Sequence, residues 1–119
     1  MLRVWQLDLA SYESVKQFAS KANTLPHLDF LLENVGLTTG EFRWAENNKS
    51  QITVNVVSMS LLGVLLLPKL RPTAREFGVL SYLTVVPSSL HNETNFRERN
   101  SQSIFDELNN KEKDFLTDR

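Results

Sequence analysis

The chain contains no cysteine. That excludes disulfides, thiolate metal sites and cysteine nucleophiles, and it fits a reducing compartment such as the cytoplasm. Histidine is nearly missing. His27 and His91 stand far apart without ligand-like spacing, so no metal site is expected. Charge of one sign is also missing: 13 basic and 14 acidic residues leave a net charge of −1, which points to neither nucleic acid nor an anionic membrane surface as partner. The four glycines, Gly36, Gly40, Gly63 and Gly78, stand singly, so no glycine-rich phosphate-binding turn is present. The N-terminus, Met1 to Leu9, lacks an apolar stretch behind a basic start and reads as no targeting peptide. The most apolar segment, Ile52 to Leu67, is broken by Thr53, Asn55, Ser58 and Ser60 and is followed by Pro68. It falls short of the roughly 20 apolar residues that span a bilayer, so a buried helix and no membrane span are expected.

What is present has an ordinary apolar fraction for a globular chain of one domain, 119 residues long. Val4 to Leu9 alternates and reads as a first strand. Ser11 is a good helix N-cap, Glu13 suits the first turn, and Val15, Phe18, Ala19 and Ala22 recur at helical spacing, which predicts a helix from about Tyr12 to Ala22. Leu28 to Leu32 reads as a second strand, buried on both faces. A long helix is expected to begin near Phe42 to Asn48. Its stripe is Ile52, Val56, Met59, Gly63, Leu66 and Leu70, and Pro68 ends or kinks it. Val79 to Val86 reads as a third strand, stopped by Pro87. A short last helix is expected around Ser103 to Phe115.

Strands that alternate with helices imply an α/β fold with a parallel sheet and right-handed crossovers. Ligands in such sheets sit at the carboxyl ends of the strands. Asp8, Asn34 to Gly36, and Ser88 with Ser89 stand at those ends in this reading.

Four local patterns, in order and spacing, resemble the short-chain dehydrogenase/reductase family, in particular its fungal and retinol-dehydrogenase-like members. They are Asp8-Leu9, Glu33-Asn34-Val35-Gly36, Asn55-Val56 and the stretch Leu83 to His91. The resemblance implies a partial Rossmann-like three-layer fold with about three strands, spanning residues 1–119. It implies that Asp8 hydrogen-bonds the adenine of NADP or NAD, and that Asn34 and Gly36 let the backbone approach the nicotinamide ribose. Val35 replaces the usual alanine there. Asn55 would order a water near the active-site lysine through a helix distortion. Ser88, with Ser89 as the alternate, would hold the substrate carbonyl; His91, three residues on, selects Ser88.

The resemblance also calls for a Tyr-x-x-x-Lys motif after the serine, yet no tyrosine follows Tyr82. Residues 113–119 resemble the stretch that precedes this motif in fungal members. The expectation is therefore a truncated, inactive piece of an NAD(P)-dependent reductase, with a small-molecule carbonyl or alcohol as substrate and fungal secondary metabolism as setting. A non-catalytic remnant or interaction protein that reuses the fold is the alternative. Longer relatives would form homodimers or tetramers. The first strand, without its family neighbours, would pair with the Leu28 strand or stay detached, and the open sheet edges predict low solubility.

Overall fold

The computed structural model describes residues 1–113. The expected end of the last helix at Phe115, and all but the first residue of the 113–119 cue, lie outside the described residues. Helix α1 spans Tyr12–Asn23 and opens as its sequence requires: the Ser11 hydroxyl accepts from the Ser14 amide, and Glu13 lies in the first turn. Its Val15, Ala19 and Ala22 are buried. The two small alanines let α1 come close to the long helix α2 (Ser50–Phe77), whose Leu62 and Leu66 share the same core.

Two strands, β1 (Phe30–Glu33) and β4 (Tyr82–Val85), pair in parallel, Phe30 opposite Tyr82 and Glu33 opposite Val85. The Val86 amide donates to the Glu33 carbonyl and carries the ladder one step further. The chain is thus a mixed α/β protein with a parallel sheet, a partial Rossmann-like arrangement, and the sheet has two strands where about three were expected. Val4 to Leu9 is not a strand. Its alternation survives: Trp5, Leu7 and Leu9 turn toward the core while Val4, Gln6 and Asp8 face water. Burial can be had from side chains alone, but a ladder needs a neighbour's backbone, and this segment has none.

The expectation that β1 is buried on both faces is also corrected. Leu31 and Glu33 face α2, whereas Phe30 and Leu32 are about half exposed, as is Tyr82 opposite Phe30. Helix packs on one face of the sheet, and the other is open.

The segment expected to start the long helix forms a hairpin instead, β2 (Trp44–Ala45) with β3 (Asn48–Lys49). Glu46 takes the left-handed turn conformation, φ 53°. Asn47 and Asn48, which favour turns over helix interiors, follow it. From there helix α2 runs unbroken from Ser50 to Phe77 and stops at Gly78 in the left-handed C-cap, φ 63°. It passes through Pro68, where an end or a kink was expected, and on through Pro72, so Pro68 does not end it. Each proline removes one helix hydrogen bond. The buried Leu66, Leu70 and Thr73 on the inward face hold the helix on course. By length and composition α2 is long and apolar enough to cross a membrane; here its inward face packs on α1 and β1.

Residues Thr53–Ser58 of α2 form a π-helical segment. The wider turn rotates the stripe predicted at strict helical spacing, so Val54 and Ser58 are buried and Val56 is about half exposed. Among the described residues beyond β4 there is one short α-helix, α3 (Ile104–Leu108), capped by Ser103.

Candidate functional site

Three chain segments meet at one cleft of about 400 Å³, lined by Leu7 to Ala10, Val35 to Leu37, and Val54. The N-terminal segment is held there by two hydroxyls. Ser58, fully buried in the π segment, donates to the Leu9 carbonyl at 2.6 Å. The Asp8 amide donates to Ser14 Oγ at 2.9 Å. Asp8 Oδ1 accepts from the Ala10 amide at 2.9 Å. A carboxylate offers about four acceptor positions, so the exposed group keeps capacity for a further donor.

Asn55 fixes the opposite wall. Its Oδ1 accepts from the Leu37 amide at 2.7 Å, and its Nδ2 donates to the Leu37 carbonyl at 2.8 Å. One side chain therefore satisfies both backbone groups of a loop residue 18 positions away. The π turn brings this amide to the loop, and π segments recur at functional sites. Between the two walls lies Gly36. A Cβ there would meet only Asn55 Oδ1, at 3.8 Å, which is ordinary contact. Within the protein itself alanine fits; the space the glycine leaves lies toward the cleft.

Asn34 is exposed at the end of β1, and Ser88 and Ser89 are exposed just beyond β4. Parallel pairing puts both departures at the same carboxyl edge of the sheet. His91 is bonded back to the Ser88 carbonyl through both its amide and its ring Nδ1, which tightens the turn around that serine. The structure thus brings Asp8 and Gly36 into one cleft, with Asn55 bracing its rim, and sets Asn34 and Ser88 at the same end of the sheet without placing them among the cleft's lining residues.

A Tyr-x-x-x-Lys spacing does occur, at Tyr12 and Lys16, but it lies upstream on α1 rather than after Ser88. The Tyr12 hydroxyl accepts from Asn48 Nδ2 at 3.4 Å, and the Tyr12 amide donates to Glu46 Oε1 at 2.8 Å. This tyrosine ties α1 to the hairpin. Asn109 joins the same network through Asn48 Oδ1 and the Lys49 amide, and so anchors the segment after α3.

Residue patterns alone missed Glu33. It is 4% exposed, and burial pushes its carboxyl above the ordinary glutamate range. They also missed the roles of Thr53 and Ser58 as tethers; Thr53 Oγ1 donates to the Ala45 carbonyl at 2.7 Å. The available signal was the run of polar residues in an apolar helix, each of which needs a partner when buried.

An apolar cleft with an acidic rim suits a flat heterocycle bearing an exocyclic amine, so the residues present fit the adenine end of a nicotinamide cofactor. No family model matches the chain, and no solved structure matches it. Curated fungal proteins do. The chain is 42% identical over 102 residues to the short chain dehydrogenase/reductase dmxR8 of Cryptosporiopsis, covering 85% of this chain and 32% of that protein. It is 34% identical over its whole length to the short-chain dehydrogenase anuD of Penicillium roqueforti, covering 31% of that protein. It is 37% identical over 110 residues to the short chain dehydrogenase atnD of Emericella nidulans, 91% of this chain and 35% of that one. The chain spans about a third of the length of the curated relatives it matches. Over that span the identity to these fungal proteins, together with a parallel α/β core, supports a fragment of the short-chain dehydrogenase/reductase family.

Proposed function

We propose that this chain is the cofactor-cradling part of an NAD(P)-dependent oxidoreductase acting on a carbonyl or alcohol. The observation that carries the reading is the cleft shared by Asp8 and Gly36 at the carboxyl edge of the sheet, braced by Asn55. Asp8 receives the adenine amino group. Gly36 leaves room for the ribose, and Asn34 steadies the strand end beside it. The cofactor, once bound, supplies or accepts a hydride. Ser88 donates its hydroxyl to the substrate carbonyl and orients it, with Ser89 as the alternate. Asn55 is a positioning residue, since its amide already holds the Leu37 backbone.

A hydroxyl can polarise a carbonyl but is a poor acid for the resulting alkoxide, and general acid–base help is worth about 10²–10⁴ in rate. No tyrosine follows Ser88 in the 119 residues, so the chain alone is expected to show negligible turnover. The cytoplasm is the proposed location, fungal secondary metabolism the proposed setting, and NADP the preferred cofactor of the pair.

Binding can be tested apart from turnover. NADPH titrated into the ¹⁵N-labelled chain should shift the amides of Leu7 to Ala10 and Val35 to Leu37, and Asp8→Ala should weaken those shifts. Shifts confined to other residues, or none at millimolar NADPH, would overturn the reading.

A further inference from the structure

Glu33 is the only buried carboxylic acid among the described residues. It closes β1 with its side chain turned toward α2, and its Oε1 has no hydrogen-bond partner. Desolvating a carboxylate without a donor is costly, so such a group in a folded protein calls for an explanation. A groove of about 390 Å³ lies beside it, between α2 and β4. Met59, Leu67, Leu83 and Val85 give apolar walls, and Ser60 adds a hydroxyl. Gly63 keeps the floor open: a Cβ there would stand 3.4 Å from Leu83 and 3.5 Å from Glu33 Oε1. Among the described residues no other ionisable side chain lines the groove, and it shares no lining residue with the Asp8 cleft.

We infer that this groove binds a primary ammonium carried on a small apolar body, with one ammonium N–H donated to Glu33 Oε1. Volume and lining are those of a small-molecule site: mostly apolar walls with a few polar groups, of which Glu33 alone is an acid, beside Ser60 and Asn55. The ammonium supplies the missing donor, and its positive charge is matched by the one acid present. Hydrogen bonds to charged groups are among the strong ones, which gives the site selectivity for an amine over an alcohol of the same shape. Because burial holds the Glu33 proton to higher pH, binding tightens as pH rises through that titration.

Asn55 borders this groove and braces the cofactor cleft, but the inference rests on Glu33, Gly63 and the apolar walls, none of which lines that cleft, so failure of NADPH binding leaves it standing. The test uses benzylamine as probe and benzyl alcohol as neutral counterpart, titrated into the ¹⁵N-labelled chain. Benzylamine should shift Glu33, Gly63 and Leu83. Glu33→Gln should weaken benzylamine by about 10- to 100-fold, the range expected for a hydrogen bond to a charged group, and leave benzyl alcohol unchanged. Gly63→Leu, which fills the groove, should abolish both and keeps the test open if the Gln variant folds poorly. Equal binding of the two probes, no effect of Glu33→Gln, or shifts elsewhere in the chain would overturn the inference. So would concentration-dependent self-association that buries these same residues, since a second copy would then occupy the groove.

Discussion

Ser58→Ala is the sharpest test of how the cofactor cleft is built. The Ser58 hydroxyl is fully buried and donates at 2.6 Å to the carbonyl of Leu9, itself 6% exposed. Alanine fills nearly the same volume, so the change removes the donor and creates little cavity. What remains is a buried carbonyl without a partner, at a cost of about 1–3 kcal/mol. For a chain of this length that corresponds to a fall in melting midpoint of roughly 3–6 °C per kcal/mol. The loss should be concentrated where the tether acts. Leu9 has no sheet neighbour, so the segment around Asp8 depends on Ser58, on the bond from the Asp8 amide to Ser14, and on side-chain packing. Urea unfolding followed by circular dichroism gives the global cost, and amide hydrogen exchange at Asp8 to Ser11 gives the local one. Ser60→Ala, an exposed serine two residues along the same helix, is the control and should stay within about 0.5 kcal/mol of wild type. A Ser58→Ala protein that matches this control in stability and in exchange would refute the tether.

Three further outcomes are expected. Leu66→Ala, at a position 1% exposed between α1 and α2, should cost about 2–5 kcal/mol in urea unfolding, and a cost under 1 would show that the two helices are not packed as described. Glu33 binds its proton more tightly folded than unfolded, so stability should fall as pH rises from the ordinary glutamate range to the raised value and stay lower above it; Glu33→Gln should flatten the urea midpoint across that interval. Gly36→Ala should leave the melting midpoint within a few degrees of wild type, because its Cβ makes only an ordinary contact, yet weaken NADPH titrations; unchanged cofactor affinity would remove Gly36 from the site.

The open sheet face and edges bear on handling the chain. Phe30, Leu32 and Tyr82 lie uncovered on one face, and both strands of the parallel pair present a free edge among the described residues. Such surfaces favour association.

Helix α1 could be read from the sequence because its signals are local. Ser11 caps within one turn, Glu13 meets the helix dipole, and the apolar spacing lies on one face. The same holds for β4, whose β-branched and aromatic residues favour extended backbone, and for the family motifs, which are short and ordered. Whatever depended on a distant partner could not be read. Val4 to Leu9 has the alternation of a strand, but pairing is a property of two segments. Asn55 stood out as a polar residue in an apolar helix, while its partner, Leu37, and the π turn that delivers it are fixed only by how α2 lies against the loop after β1. Prolines 68 and 72 mark a helix end by local rules; packing of the opposite face overrides them. Nothing in the residues around Glu33 marks it as buried; the contact of β1 with α2 at Gly63 buries it. Sequence by itself determined α1, β4 and the likeness to the family, since propensity and motif act over a few residues. Tertiary structure decided the pairing, the cleft and the buried charge, since each depends on surfaces that meet only when the chain folds.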